Sequence, residues 1–311
     1  MGYIIGSWNT QHFTGREKGA HDIDMMAHII LSEGFDIIAL QEVMRPEAVQ
    51  LLKKRLPGWE GCHGDPRSRI RDSNFNLGFA YLWNTRRVRE VSKEGMPSIF
   101  TQYRTKAILT RNPFYGRFSP NGLPGGAFFE IRLINIHLWY GNNLVTDKAK
   151  RLEEFKAASQ YIYQSLSTRR YGNFMPAYTI VLGDYNFSAV FCQSQETDTV
   201  SYYANTKQEQ KTTLPRIKGE AKDGIEAKNG ISEETQTKNP ADFVNDYDHF
   251  GYNDARFDAS DVIVSRVNTV NKYMSDDFTR HRKELSDHIP IKLELILNPR
   301  RPGYVYTKEE N

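Results

Sequence analysis

The sequence predicts an α/β protein in which two β-sheets pack face to face and helices cover the outside. Three observations lead there. Short, strongly apolar runs recur along the chain, too continuous to be half-solvated surface strands. Segments with apolar residues at helical spacing alternate with them. Several runs are joined by Gly- and Pro-rich turns, the mark of hairpins, which a purely parallel doubly wound sheet would not contain.

Composition sets the bounds. The 311 residues are 39% hydrophobic and 25% charged, an ordinary balance for a globular chain, which excludes a disordered protein or a coiled coil. No apolar run approaches the roughly 18 residues of a transmembrane helix. The first residues, Met1 to Asn9, lack a basic region followed by a long apolar one, so no signal peptide is expected. Two cysteines, Cys62 and Cys192, cannot build a disulfide framework or a cysteine-rich zinc site. An intracellular, cytoplasmic protein held by its core is the expectation. A net charge of +3 allows an anionic partner without requiring one.

Taken in order, Tyr3 to Asn9 reads as a strand and Ile23 to Ser32 as a helix. Asp36 to Glu42 is a buried-strand pattern ending in a carboxylate, and Pro46 to Leu56 is a helix with proline in its first turn. Leu77 to Trp83 is a core strand. Lys106 to Thr110 and Ala127 to His137 read as a strand pair across the turn Asn121 to Gly126. Asp147 to Leu166 is the longest helical stretch, with Leu152, Phe155, Ala158, Tyr161 and Ile162 as its inward stripe. Tyr178 to Leu182, Asp261 to Val267 and Ile289 to Leu297 are further strands. Residues 205–240 hold seven Lys or Arg and six Asp or Glu with scattered apolar residues, and read as a polar surface insertion. One domain over residues 1–298 with a frayed tail, 299–311, is expected.

Five apolar strands end in, or run into, groups that bind metals or phosphates. They are Ser7-Trp8-Asn9, Leu40-Gln41-Glu42, Asn135-Ile136-His137, Gly183-Asp184-Tyr185-Asn186 and Ser286-Asp287-His288. A carboxylate just past a buried strand is a rigid, partly desolvated oxygen ligand, as a hard divalent cation requires.

This ordered set resembles the endonuclease/exonuclease/phosphatase superfamily, the DNase I-like fold. The segments Leu40-Gln41-Glu42-Val43, Gly183-Asp184-Tyr185-Asn186 and Ser286-Asp287-His288-Ile289-Pro290 carry the likeness, which runs from Asn9 to His288. It implies a four-layer α/β sandwich of two mostly antiparallel sheets, one site at the strand ends, and Mg²⁺-dependent cleavage of a phosphate ester, with Mn²⁺ as a substitute. By the same resemblance Glu42 is the principal metal ligand, with Asn9 and Asp287 close to that metal. Asp184 orients or deprotonates the attacking water, and Asn186 donates to a phosphate oxygen. His288 is the catalytic histidine, oriented by an aspartate for which Asp248 is the first choice and Asp261 the second. His137 matches a histidine of the DNase I and sphingomyelinase branches. The glutamate that pairs with it in DNase I is missing here, because its place falls near Leu77.

The implied reaction is that of a nuclease, an endonuclease on DNA first, with RNA also open. Arg104 resembles the strand-start arginine that contacts DNA phosphate. Arg67 to Arg71, Arg86 to Arg89, Arg16, Lys18 and Tyr103 could track a polyanionic backbone. Three alternatives compete. A sphingomyelinase would show an apolar membrane-entering hairpin, an inositol phosphatase a Trp-Cys-Asp-Arg-like segment, and a non-catalytic binding member would have lost one of Glu42, Asp184, Asn186, Asp287 or His288. The sequence shows neither segment, and it keeps all five residues.

Overall fold

The computed structural model describes residues 2–15, 21–66, 77–92, 96–101, 109–122, 129–141, 145–169, 177–194, 201–202, 246–253 and 262–296. In chain order the elements are β1 (Gly2–Phe13), α1 (Ile23–Ser32), β2 (Ile37–Val43), α2 (Pro46–Arg55), β3 (Trp59–Gly64), β4 (Gly78–Asn84), β5 (Val88–Glu90), β6 (Ser98–Ile99), β7 (Phe114–Pro120) and β8 (Glu130–His137). Then come α3 (Val145–Lys156), a π-helical turn (Ala157–Ile162), α4 (Tyr163–Ser167), β9 (Ala177–Asp184), α5 (Ala189–Ser194), β10 (Ser201–Tyr202) and β11 (Asp248–Tyr252). The chain closes with β12 (Val262–Arg266), α6 (Thr269–Met274), α7 (Phe278–Glu284) and β13 (Ile291–Ile296).

The strands form two mixed sheets, ordered β12-β13-β1-β2-β4-β3 and β10-β11-β9-β8-β7-β5, with β6 beside β7. Each sheet has one parallel pair at its centre, β1 with β2 and β8 with β9. Parallel neighbours end on the same side, so these two pairs bring four strand C-termini to one rim of the molecule. That rim is the site described below.

Side-chain alternation explains the layers. In β2, Ile37 and Ala39 face the second sheet, while Ile38 and Leu40 face α1 and α2. The helices cover that outer face with Met26, Ile29, Ile30, Ala48, Val49 and Leu52. Asp22 caps α1 by accepting from the Met25 N–H at 2.9 Å, and Pro46 opens α2. Phe155, Ala158, Ile162 and Leu166 join the larger core cluster and cover the second sheet. Polar groups also tie the sheets together. Gln41 Nε2 donates to Asn135 Oδ1 at 2.8 Å, and Asn135 Nδ2 donates to the Leu40 carbonyl at 3.0 Å. Each bond satisfies a buried polar group and fixes the sheets' mutual register.

Two expectations need correction. The strand before the turn at Asn121 is Phe114–Pro120, which pairs with Glu130–His137; Leu109 and Thr110 of the expected strand are not in one. The aromatic Phe114, Tyr115 and Phe118 supply the β-forming, packing side chains there. The inward stripe of the long helix also differs, because Tyr161 faces solvent and Tyr163 is buried. The π-helical turn inserts an extra residue, which rotates every later side chain around the axis. Residues 205–240 and 299–311 lie outside the described residues.

Candidate active site

Two bulges place the first side chains of the rim. Leu40 and Val43 both face the helices, although an odd separation in a regular strand would put them on opposite faces. The β2–β4 register shifts between Gln41 and Val43, and Glu42 takes a left-handed φ of 60°. The extra residue swings Glu42 out of the alternation and onto the rim. Similarly, β1 slips against β2 between Asn9 and Phe13, with Gln11 and His12 at φ 44° and 57°. In the second sheet Gly183 has φ 135°, and a Cβ there would lie 2.0 Å from the Ile136 carbonyl oxygen. Only glycine allows β9 so close to β8 just before Asp184. Non-glycine residues in this region are strained, and such strain gathers at functional sites.

The rim side chains interlock. Asn9 Nδ2 donates to Glu42 Oε1 at 3.2 Å and to Asp184 Oδ2 at 3.0 Å, so one amide joins the two sheets. His137 Nε2 lies 3.8 Å from both of those carboxylates. Asp184 Oδ1 accepts from the Asn186 N–H at 2.9 Å, which shapes the Asp184–Asn186 turn, and Asn186 Nδ2 donates to the Leu138 carbonyl at 2.8 Å. Asp248 stands directly opposite Asp184 in the β9–β11 ladder.

His288, just before β13, reaches across both sheets. Its Nδ1–H donates to Asp248 Oδ2 at 2.6 Å. Of the two candidate aspartates, Asp248 makes this bond, and Asp261 lies outside the described residues. His288 Nε2 is 3.9 Å from Asp184 and 3.8 Å from Asp287. Burial disfavours the imidazolium, but the carboxylates of Asp248, Asp287 and Asp184 outweigh it and lift the pKa to about 10. The buried Nε2 has no hydrogen-bond acceptor. Leaving such a donor unpaired is costly. Ser286 holds this turn in place: its hydroxyl donates to the Asn9 carbonyl at 2.7 Å and accepts from the His288 N–H at 3.0 Å.

The donor set suits a divalent cation. Glu42, Asp184, Asp248 and Asp287 are four buried carboxylates, and Asn9 adds an amide oxygen. Hard oxygen donors gathered against like-charge repulsion fit an ion such as Mg²⁺. Asp184, Asp248 and His288 each offer a ligand atom, all within 4.8 Å of one another. The structure thus brings together Asn9, Glu42, His137, Asp184, Asn186, Asp248, Asp287 and His288, whereas Arg87 of the expected Arg86–Arg89 track is bonded to Asp36 at the start of β2, the end away from Glu42. Arg104, Arg16, Lys18, Arg67 to Arg71 and Tyr103 lie outside the described residues.

Sequence reading missed Arg111. It precedes β7, and its Nη1 donates to the His137 carbonyl at 3.2 Å. Burial pulls its pKa down, against the opposing fields of Glu42, Glu154 and Asp184. The signal was present, since placing the strand at 114–120 makes Arg111 the basic residue at its start. Helix α3 supports the same loops from behind. Glu154 accepts from the Thr110 and Trp139 N–H groups at 2.7 and 2.8 Å, and Arg151 donates to the Asn186 and Tyr140 carbonyls.

No family model matches the chain. A curated protein named deoxyribonuclease, from Thioalkalivibrio sp. (strain K90mix), is 27% identical over 190 residues, 58% of this chain. The match spans 45% of that protein's length. Among solved structures, an endonuclease/exonuclease/phosphatase family protein from Bacteroides thetaiotaomicron matches 98% of this chain and 99% of its own at 17% identity and a TM-score of 0.56. D. rerio TDP2 complexed with a single-strand DNA product matches 95% of this chain and 99% of its own, at 14% identity and a TM-score of 0.54. A mannosyl-6-phosphatase of B. thetaiotaomicron matches 95% and 100%, at 17% identity and a TM-score of 0.55. The chain has the fold of the endonuclease/exonuclease/phosphatase superfamily, as its motifs suggest. Among the described residues, no helix is long and apolar enough to cross a membrane.

Proposed function

We propose that this protein is a metal-dependent phosphodiesterase, an endonuclease on DNA, with Mg²⁺ as its ion and Mn²⁺ as a substitute. The observation that carries the reading is the bridge from Asn9 Nδ2 to both Glu42 and Asp184, with the His288–Asp248 pair closing the same rim. Residues from both sheets converge there. The deoxyribonuclease relative and the DNA-bound structural neighbour support a nucleic acid substrate.

Glu42, Asn9 and Asp287 would hold the metal. When bound, it neutralises phosphate charge and stabilises the charge that builds on the reacting oxygens. Asp184, buried at the end of β9, takes the proton of the attacking water. His288 enters as an imidazolium, fixed by Asp248, and its Nε2–H donates to a phosphate oxygen. The second N–H of Asn186, the one not bonded to Leu138, would supply a neutral donor for the same phosphate. His137 adds a donor beside Glu42 and Asp184, and Arg111 offers a cation to the next phosphate.

One observation keeps a second reading open: the mannosyl-6-phosphatase shares this fold over nearly the whole chain. The two readings separate on substrate. Circular plasmid, linear DNA, RNA, a chromogenic phosphodiester and a sugar phosphomonoester are incubated with Mg²⁺, Mn²⁺ or EDTA. Nicking of the circle with either metal and none with EDTA is expected. Hydrolysis of the monoester alone would replace the nuclease reading with the phosphatase one.

A further inference from the structure

We propose that the buried amide pair Gln41 and Asn135 is a positioning clamp, which sets the gap between the two sheets at the rim and so the spacing of Asn9 and Glu42 against His137 and Asp184. The inference rests on the phosphodiesterase reading above and concerns two residues that reading does not use. Three observations carry it. Gln41 Nε2 donates to Asn135 Oδ1 at 2.8 Å, and Asn135 Nδ2 donates to the Leu40 carbonyl at 3.0 Å, so one side chain of β8 holds β2 at two points. Gln41 Nε2 also donates to Ser7 Oγ at 3.1 Å, which adds β1 to the same layer. Ser7, Gln41 and Asn135 stand two, one and two residues before Asn9, Glu42 and His137, so this layer lies directly beneath the rim.

The rim needs such a clamp. Glu42 comes from β2 and Asp184 from β9, and two carboxylates drawn together repel each other and press the sheets apart. Asn9 Nδ2 spans them with bonds of 3.2 and 3.0 Å, and His137 Nε2 stands 3.8 Å from each. An opening of about 0.5 Å would stretch the Asn9–Asp184 bond to the limit of a hydrogen bond. Apolar packing resists such a shift weakly because it has no direction, whereas paired amides have one. Stability alone explains the pair less well. Ser7, Gln41 and Asn135 are fully buried, and among the described residues Gln41 Oε1 receives no hydrogen bond. A buried acceptor left bare is costly, and an apolar pair of the same shape would avoid that cost.

The test is the full chain carrying Gln41→Met together with Asn135→Leu, which keeps the shapes and removes the bonds. Its urea midpoint should equal or exceed that of wild type. Its kcat on plasmid should nevertheless fall by about tenfold to a hundredfold, with KM within about twofold. A crystal structure of the variant should show Asn9 Nδ2 no longer bonded to Asp184. Should the double variant fail to fold, Gln41→Asn keeps the amide but withdraws it by one methylene, and the same split between kcat and KM is expected. Wild-type kcat in a folded variant, or an intact Asn9–Asp184 bond in its crystals, overturns the proposal and leaves the phosphodiesterase reading standing. Wild type that cleaves no phosphate ester removes that reading instead, and the Asn9–Asp184 distance in the variant then decides on the clamp.

Discussion

Asp248 and His288, forty residues apart in the chain, meet in a 2.6 Å hydrogen bond between β11 and the turn before β13, and both are almost fully buried. The bond fixes which ring nitrogen faces Asp248 and leaves Nε2 towards Asp184 and Asp287, where the proposed phosphate would sit. Removing either partner should therefore have the same effect. Asp248→Asn and His288→Gln should each lower kcat by about 10²- to 10⁴-fold on plasmid and on a chromogenic diester. The double variant should be little worse than either single one, because the groups act as a unit. Steady-state kinetics on the three variants, with circular dichroism to confirm the fold, checks this.

Gly183 sets how closely the two central strands of the second sheet approach. Gly183→Ala would push a methyl group into the Ile136 carbonyl, 2.0 Å away, and impose φ 135° on an L-residue. A loss of about 3 kcal/mol or more in urea denaturation is expected. A variant as stable as wild type would mean that β8 and β9 do not approach as described.

Acid sensitivity should have an identifiable source at His281. Its Nδ1–H donates to the Ser286 carbonyl at 2.8 Å, and its Nε2 accepts from the Thr269 hydroxyl at 2.6 Å. Burial lowers its pKa to about 4, below the ordinary 6.5, partly offset by the Ser286 bond and the Asp287 charge. The unfolded chain then binds more protons than the native one between those values. Stability is complete above about pH 6.5 and falls as pH drops towards 4, by roughly 3 kcal/mol. Thermal melts from pH 7 to 4 should show the slope, and His281→Gln should flatten it. Parallel slopes in the two proteins would remove His281 as the cause.

Arg111 should act through binding. Arg111→Ala should weaken association with DNA, measured with Ca²⁺ in place of Mg²⁺, and should reduce the slope of log K against log salt by about one. An unchanged slope would show that this guanidinium touches no phosphate.

Much of the architecture was legible in residue patterns, and the exceptions have physical reasons. Continuous apolar runs such as Ile37 to Leu40 announce strands covered on both faces. The polar residues that end them, Glu42 and Asp184, announce the rim. What spacing could not show is how Glu42 escapes its strand's alternation, since a bulge leaves no mark in hydropathy. The hairpin before β8 was misplaced because Phe114 to Pro120 mixes aromatic, glycine and arginine residues, and Arg111, just before that strand, was overlooked with it. Tyr161 and Tyr163 exchange places because a π-turn cannot be read from a 3.6-residue period.

The most direct measurement is anomalous X-ray scattering from crystals soaked in Mn²⁺. A peak within bonding distance of the Glu42 carboxylate, on the rim shared with Asp184 and His288, is the result expected. No peak there, at a Mn²⁺ concentration that supports DNA cleavage in solution, would contradict the reading of this rim as the metal and phosphate site.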